Sequence, residues 1–145
     1  MNPYIKITVT TFTAWILCAI INGLLCGTYM YLATSYFSEW PGEILLVFFF
    51  SLFFSAPGFF IFWIVLLISF ARWIEERALF RVALSTGFVL SLITGVLGSN
   101  MLKSEFPNSK YLFVFFVILS AITGIMMHFN HFKKIKYRRN ENRIS

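Results

Sequence analysis

Hydrophobic positions in this chain form long unbroken runs, and short polar stretches separate them. Four runs stand out, at about residues 7–33, 44–71, 78–102 and 111–132. Each reaches the ~20 residues that a helix needs to cross ~30 Å of hydrocarbon at ~1.5 Å per residue. Strands do not fit, because the runs are continuous rather than alternating and an open strand edge cannot sit in lipid. The pattern predicts an all-α polytopic membrane protein. Its four transmembrane helices form one bundle within residues 1–132, and a basic tail follows at 133–145. The first run is far longer than the ~7–15-residue core of a signal peptide, so it is expected to stay as a helix.

The second run carries a break signal, SAPG at 55–58. Pro57 has no N–H to give the Phe53 carbonyl, and its ring crowds the preceding turn. A kink at Pro57-Gly58 inside one crossing helix is expected, with Ser51 and Ser55 near enough in sequence to supply a hydroxyl. The competing arrangement is a re-entrant hairpin that turns at this pair and never crosses.

The runs are not uniformly bulky. Ala83, Gly87, Ser91, Gly95 and Ser99 recur every four residues on the third, with Thr94 and Gly98 beside them. The opposite side holds Val89, Leu92, Ile93, Val96 and Leu97. The first run repeats the device with Ala19, Gly23 and Gly27, and the fourth with Ser120, Thr123 and Gly124. Small residues let helix backbones approach where no water drives association. Each of these faces is therefore a candidate packing face, and the longest, on the third run, is also a surface for a dimer.

Charge sets the expected orientation. Lys6 precedes the first run, Arg72, Arg77 and Arg81 lie between the second and third, and six basic residues from Lys133 to Arg143 follow the fourth. The stretch TSYFSEWPGE has none, and KSEFPNSK has only Lys103 and Lys110. Basic residues mark the cytoplasmic side, so both termini are expected there, most simply in a bacterial inner membrane. Tyr29, Tyr31, Tyr36, Trp40, Trp73 and Tyr111 sit where interfacial aromatics are common. The 133–143 tail also suits contact with anionic lipid headgroups. It carries no RNA-binding motif, and no nucleic-acid partner is expected.

Composition agrees with this class. Hydrophobic residues make up 59% and charged residues 12%, with a net charge of +6. Soluble domains hold about 25% charged residues.

Candidate chemistry is sparse. No Asp, Glu, Lys or Arg lies in the central part of any run, and ion-coupled transporters place such groups there. No phosphate-binding loop or nucleophile elbow occurs. Cys18 and Cys26 are eight residues apart, ~12 Å along a helix and beyond the ~7 Å reach of a disulfide. Asn22 is the one strongly polar side chain near the middle of a run, and it needs an interhelical partner. His128 and His131, three apart, are weak metal candidates, since two imidazoles fall short of a four-ligand zinc site.

These features point to a non-enzymatic protein without a cofactor. It is expected to act through helix packing, as a homo-oligomer or as an accessory or immunity-type subunit beside a membrane-protein partner. The alternative is a small transporter or channel with a polar path past Asn22, Ser91, Thr94, Ser120 and Thr123.

Overall fold

In a computed structural model the described residues are 2–33, 40–72, 76–101, 110–128 and 130–131. They form four helices, α1 (Pro3–Ala33), α2 (Trp40–Ala71), α3 (Glu76–Met101) and α4 (Lys110–Met127). Three are long and apolar enough to cross a membrane, over Tyr4–Leu32, Ile44–Ala71 and Ala78–Asn100. The apolar stretch of α4, Tyr111–Met127, is shorter. The fourth run was expected to continue helically to residue 132, but α4 ends at Met127. The chain then turns, with the His128 N–H donating to the Ile125 carbonyl and the His131 N–H to that of His128. The basic tail and the inter-helix stretches at 34–39, 73–75 and 102–109 lie outside the described residues.

α2 runs unbroken through Pro57, so the chain does not reverse at Pro57-Gly58 as the hairpin would require. The two serines act differently from the expectation. The Ser55 hydroxyl donates to the carbonyl of Ser51, one turn back, rather than to that of Phe53.

The helices close into a ring. α1 packs on α2, α2 on α3, α3 on α4 and α4 on α1, with no close backbone approach across either diagonal among the described residues. Each neighbouring pair is antiparallel. Tyr4 meets Phe70 at one end of the α1–α2 seam and Gly27 meets Ile44 towards the other. Gly87 faces Ile125 and Gly98 faces Phe113 along α3–α4. Thr13 meets His128, and Tyr29 meets Phe116, along α1–α4. The start of α1 and the end of α4 therefore share one end of the bundle.

Small residues fix how closely these seams approach. A Cβ added to Gly27 would lie 2.7 Å from the Ile44 Cα and 2.9 Å from its N, which is backbone against backbone. One added to Gly95 would lie 3.3 Å from the Val114 Cα, and one added to Gly124 would lie 3.3 Å from the Ala14 carbonyl oxygen and against the Cys18 sulfur. The α3 ridge is spent inside the chain: Ala83, Gly87, Ser91, Gly95 and Ser99 are all buried. It is therefore not a free dimer surface. Val89, Leu92, Ile93, Val96 and Leu97 face outward.

The tightest core sits at the end that holds the start of α1. Ile7, Leu66 and Ala83 are 0% exposed there, packed with Phe62, Phe70, Leu79 and Ile125.

The seam geometry predicts that Gly27→Ala destabilises the bundle, because the Ile44 backbone cannot yield as a side chain would. Gly42→Ala has nothing within 4 Å of the new methyl and should be neutral or slightly stabilising. Reversible unfolding of the two variants in mixed micelles, followed by circular dichroism, measures the difference; equal stabilities would refute it.

Candidate functional site: a polar seam beside an apolar cavity

The central polar groups belong to α1 and α2. Asn22 is buried, and its amide nitrogen donates to the Ser51 hydroxyl at 2.6 Å. The thiol of Cys26, one turn along α1, donates to the Asn22 amide oxygen at 3.2 Å. On the next turn of the seam the Trp15 indole N–H donates to the Ser55 hydroxyl at 2.8 Å. The Ser55 hydroxyl in turn donates to the Ser51 carbonyl, so the two bonded pairs are linked through Ser51. Nearer the ends the Trp63 indole N–H donates to Thr8 at 3.1 Å. The helical period places Trp15, Asn22 and Cys26 on one side of α1, and 51 and 55 on one side of α2. Antiparallel docking then brings the two sets together.

Asn22, Ser51 and Ser55 stand out in the sequence as polar residues within apolar runs. Trp15 does not, because an indole passes for bulk until its N–H needs a partner. A tryptophan in mid-run, away from the interface, was the available signal.

The other polar candidates bond within their own helices. Ser91 donates to the Phe88 carbonyl, Ser99 to Val96, Ser120 to Val117 and Thr123 to Leu119. Such back-bonding satisfies a hydroxyl without any partner helix. Thr94 is half-buried, with its hydroxyl turned towards Gly58 of α2.

The two histidines lie at the end of α4, with ring centroids 5.7 Å apart. The His128 Nδ1 is 2.9 Å from the Gly124 carbonyl oxygen, so that nitrogen carries a proton and donates it. Nε2 is 3.2 Å from the Thr13 hydroxyl on α1. Both ring nitrogens are thus engaged, Nδ1 on α4 itself and Nε2 across to α1. Among the described residues no group of three or more His, Cys, Asp or Glu side chains comes together.

Inside the ring lies a cavity of about 450 Å³, bounded by all four helices. Small-molecule sites span ~300–1,000 Å³. Its walls are apolar and aromatic, and no Asp, Glu, Lys or Arg lines it. Of the residues of the supposed polar path, Asn22, Ser91, Thr94 and Ser120 border the cavity and Thr123 does not. The packing residues Ala19, Gly87 and Gly98 border it too, while Gly23, Gly27, Gly95 and Gly124 are taken up in the seams.

Comparison with protein-family models, with curated proteins and with solved structures finds no match for this chain.

The Asn22–Ser51 bond predicts a measurable coupling. Interhelical hydrogen bonds in membrane proteins average about 0.6 kcal/mol and reach about 1.7 kcal/mol. A double-mutant cycle with Asn22→Ala and Ser51→Ala should fall in the upper part of that range, because Ser55 and Trp15 are tied to the same pair. Additive losses would show that the two groups act independently.

Proposed function

We propose that this chain is a non-enzymatic integral membrane protein with four spans. It acts through its outer surface, as an oligomer or as an accessory, immunity-type subunit of a membrane assembly. The observation that carries this reading is how the polar groups are used. Nearly all those near the centre are committed to the bundle itself, either across the α1–α2 seam or to their own helix. A small transporter would need such groups turned to a continuous path; Asn22, Ser91, Thr94 and Ser120 border the cavity, but the bonds of Asn22, Ser91 and Ser120 to protein partners favour a structural role. The most aromatic outer surface is that of α2, where Phe49, Phe50, Phe53, Phe54 and Phe60 are exposed. Phe53 is the most open of these at 83%. Large aromatic surfaces dominate contact energies at interfaces.

The fourth span is part of the proposal. α4 has 18 residues, about 27 Å of helix at ~1.5 Å per residue, close to the ~30 Å hydrocarbon core. It lies antiparallel to both neighbours, as a fourth crossing would. In this reading, which the basic clusters support, both termini lie in the cytoplasm, in a bacterial inner membrane, with the tail of residues 133–143 against anionic lipid. A bend of α2 at Pro57-Gly58 completes the proposal, since the Phe53 carbonyl has lost its N–H partner.

Two measurements test the reading. Native mass spectrometry from lipid nanodiscs should show the 16.8 kDa chain in a larger complex, with itself or with a co-purifying membrane protein. A strict monomer without a partner would overturn the subunit role. For topology, single cysteines introduced at Glu43 and at Arg72, in a chain carrying Cys18→Ala and Cys26→Ala, should react with impermeant maleimide from opposite sides of sealed vesicles. Same-side reaction would remove the second crossing and the orientation built on it.

A further inference from the structure

The cavity is not sealed on every side. Gly58 of α2 comes close to Thr94 of α3, and Phe62 lies near Gly87 one turn further on. Phe54 and Phe50 continue the same face of α2 from Gly58, at one and two turns in the other direction. Both line the cavity, yet they are 45% and 51% exposed. A residue that borders an interior space and the outside at once marks its mouth. The two rings stack on one another at 5.7 Å, with planes 7° apart, and form one jamb of that opening. The cavity therefore opens sideways between α2 and α3, on the side of Gly58 away from the tight core.

The chemistry of the walls limits the occupant. No charged side chain lines the space, so it holds no partner for a phosphate, a carboxylate or a cation. The indole of Trp15, the amide nitrogen of Asn22 and the hydroxyls of Ser91 and Ser120 are already donating elsewhere. That leaves a polar ligand few donors, set in walls that are otherwise apolar. Water gains little there, since apolar cavities of this kind stay dry. A hydrocarbon chain breaks no hydrogen bond by entering and gains close contact with aromatic and aliphatic walls. The mouth lies within the stretches of α2 and α3 that are long and apolar enough to cross a membrane, on the side of Gly58 away from the tight core, where lipid chains are the surrounding medium.

We propose that this cavity holds one acyl chain of a bilayer phospholipid. The chain enters between α2 and α3 past Phe50 and Phe54, and the headgroup stays outside the bundle. The inference rests on the chain spanning a membrane, but not on its being a subunit of an assembly. A bound acyl chain would fill the space between diagonally opposite helices that no side chain occupies, and would brace α2 against α3 where the two separate.

The test is photocrosslinking of the full-length chain in vesicles of phosphatidylethanolamine and phosphatidylglycerol. The vesicles are doped with phosphatidylglycerol bearing a diazirine near the middle of one acyl chain. Adducts are mapped by mass spectrometry. The proposal expects adducts on inward positions such as Val117, Ser91 and Ala121, alongside the outward Leu92, Ile93 and Leu97 that any bilayer lipid can reach. Thr94→Trp, placed at the mouth, should cut the inward adducts at least five-fold and leave the outward ones unchanged. The unchanged outward adducts also report that the variant still folds and inserts. Adducts confined to outward positions overturn the proposal. So does inward labelling by a diazirine fatty acid with none by the phospholipid, which would make the ligand a free acid rather than a lipid of the bilayer.

Discussion

Helices surrounded by hydrocarbon gain little from hiding apolar side chains, because the solvent is as apolar as they are. What holds this bundle is how near two backbones can come. The α1–α2 seam shows the constraint most clearly. Gly23 and Gly27 let the start of α2 lie directly on α1, with Ile44 and Phe48 in van der Waals contact with the glycine positions. That approach brings Asn22 within 2.6 Å of Ser51 and Trp15 within 2.8 Å of Ser55. The hydrogen bonds then fix the register that the glycines permit. Gly95 against Val114 and Gly124 against Cys18 do the same work on the other seams, and on α1–α4 the bond between Thr13 and His128 adds polar reinforcement.

The ring that results is unevenly filled. At the end where α1 begins, Ile7, Thr11 and Leu66 are fully buried and the four helices converge on them. Towards the other end α2 stays on α1, held close by Gly27, and a gap bordered by Thr94 and Gly98 of α3 lies beside it. Phenylalanines at 50 and 54 stand at the edge of the gap rather than across it. A cavity in such a place follows from the same close approach that makes the α1–α2 seam tight, since one helix cannot press equally on two neighbours. Pro57 sits at the transition, on the exposed side, where the loss of a backbone hydrogen bond costs the interior packing nothing.

Much of this was legible in the residue pattern. Long apolar runs, the small residues at four-residue spacing on α3 and the bulky opposite side all follow from helical periodicity. The need of Asn22 for a partner also follows, since an amide cannot stay unpaired among hydrocarbon side chains. Other features were not legible for identifiable reasons. Ser51 and Ser55 looked like helpers for the Phe53 carbonyl because they are near it in sequence. Across the seam, Asn22 and Trp15 engage those hydroxyls instead. His128 and His131 stood out only as a weak metal pair, and sequence spacing could not show that His128 bonds to Gly124 behind it and across to Thr13 of α1.

By itself the sequence determined that the chain is helical, that it carries apolar runs of membrane-spanning length, and which side of each could approach a neighbour. Those properties depend on residues close together along the chain. Only the tertiary structure decided which small face meets which helix. The α3 ridge could have served a second copy equally well, and it is buried instead against α2 and α4. Only the tertiary structure decided that the central polar groups bond to one another, and that a space of about 450 Å³ remains beside them. The reason is physical. Periodicity says which residues share a side of a helix, whereas a cavity is what four sides fail to fill together.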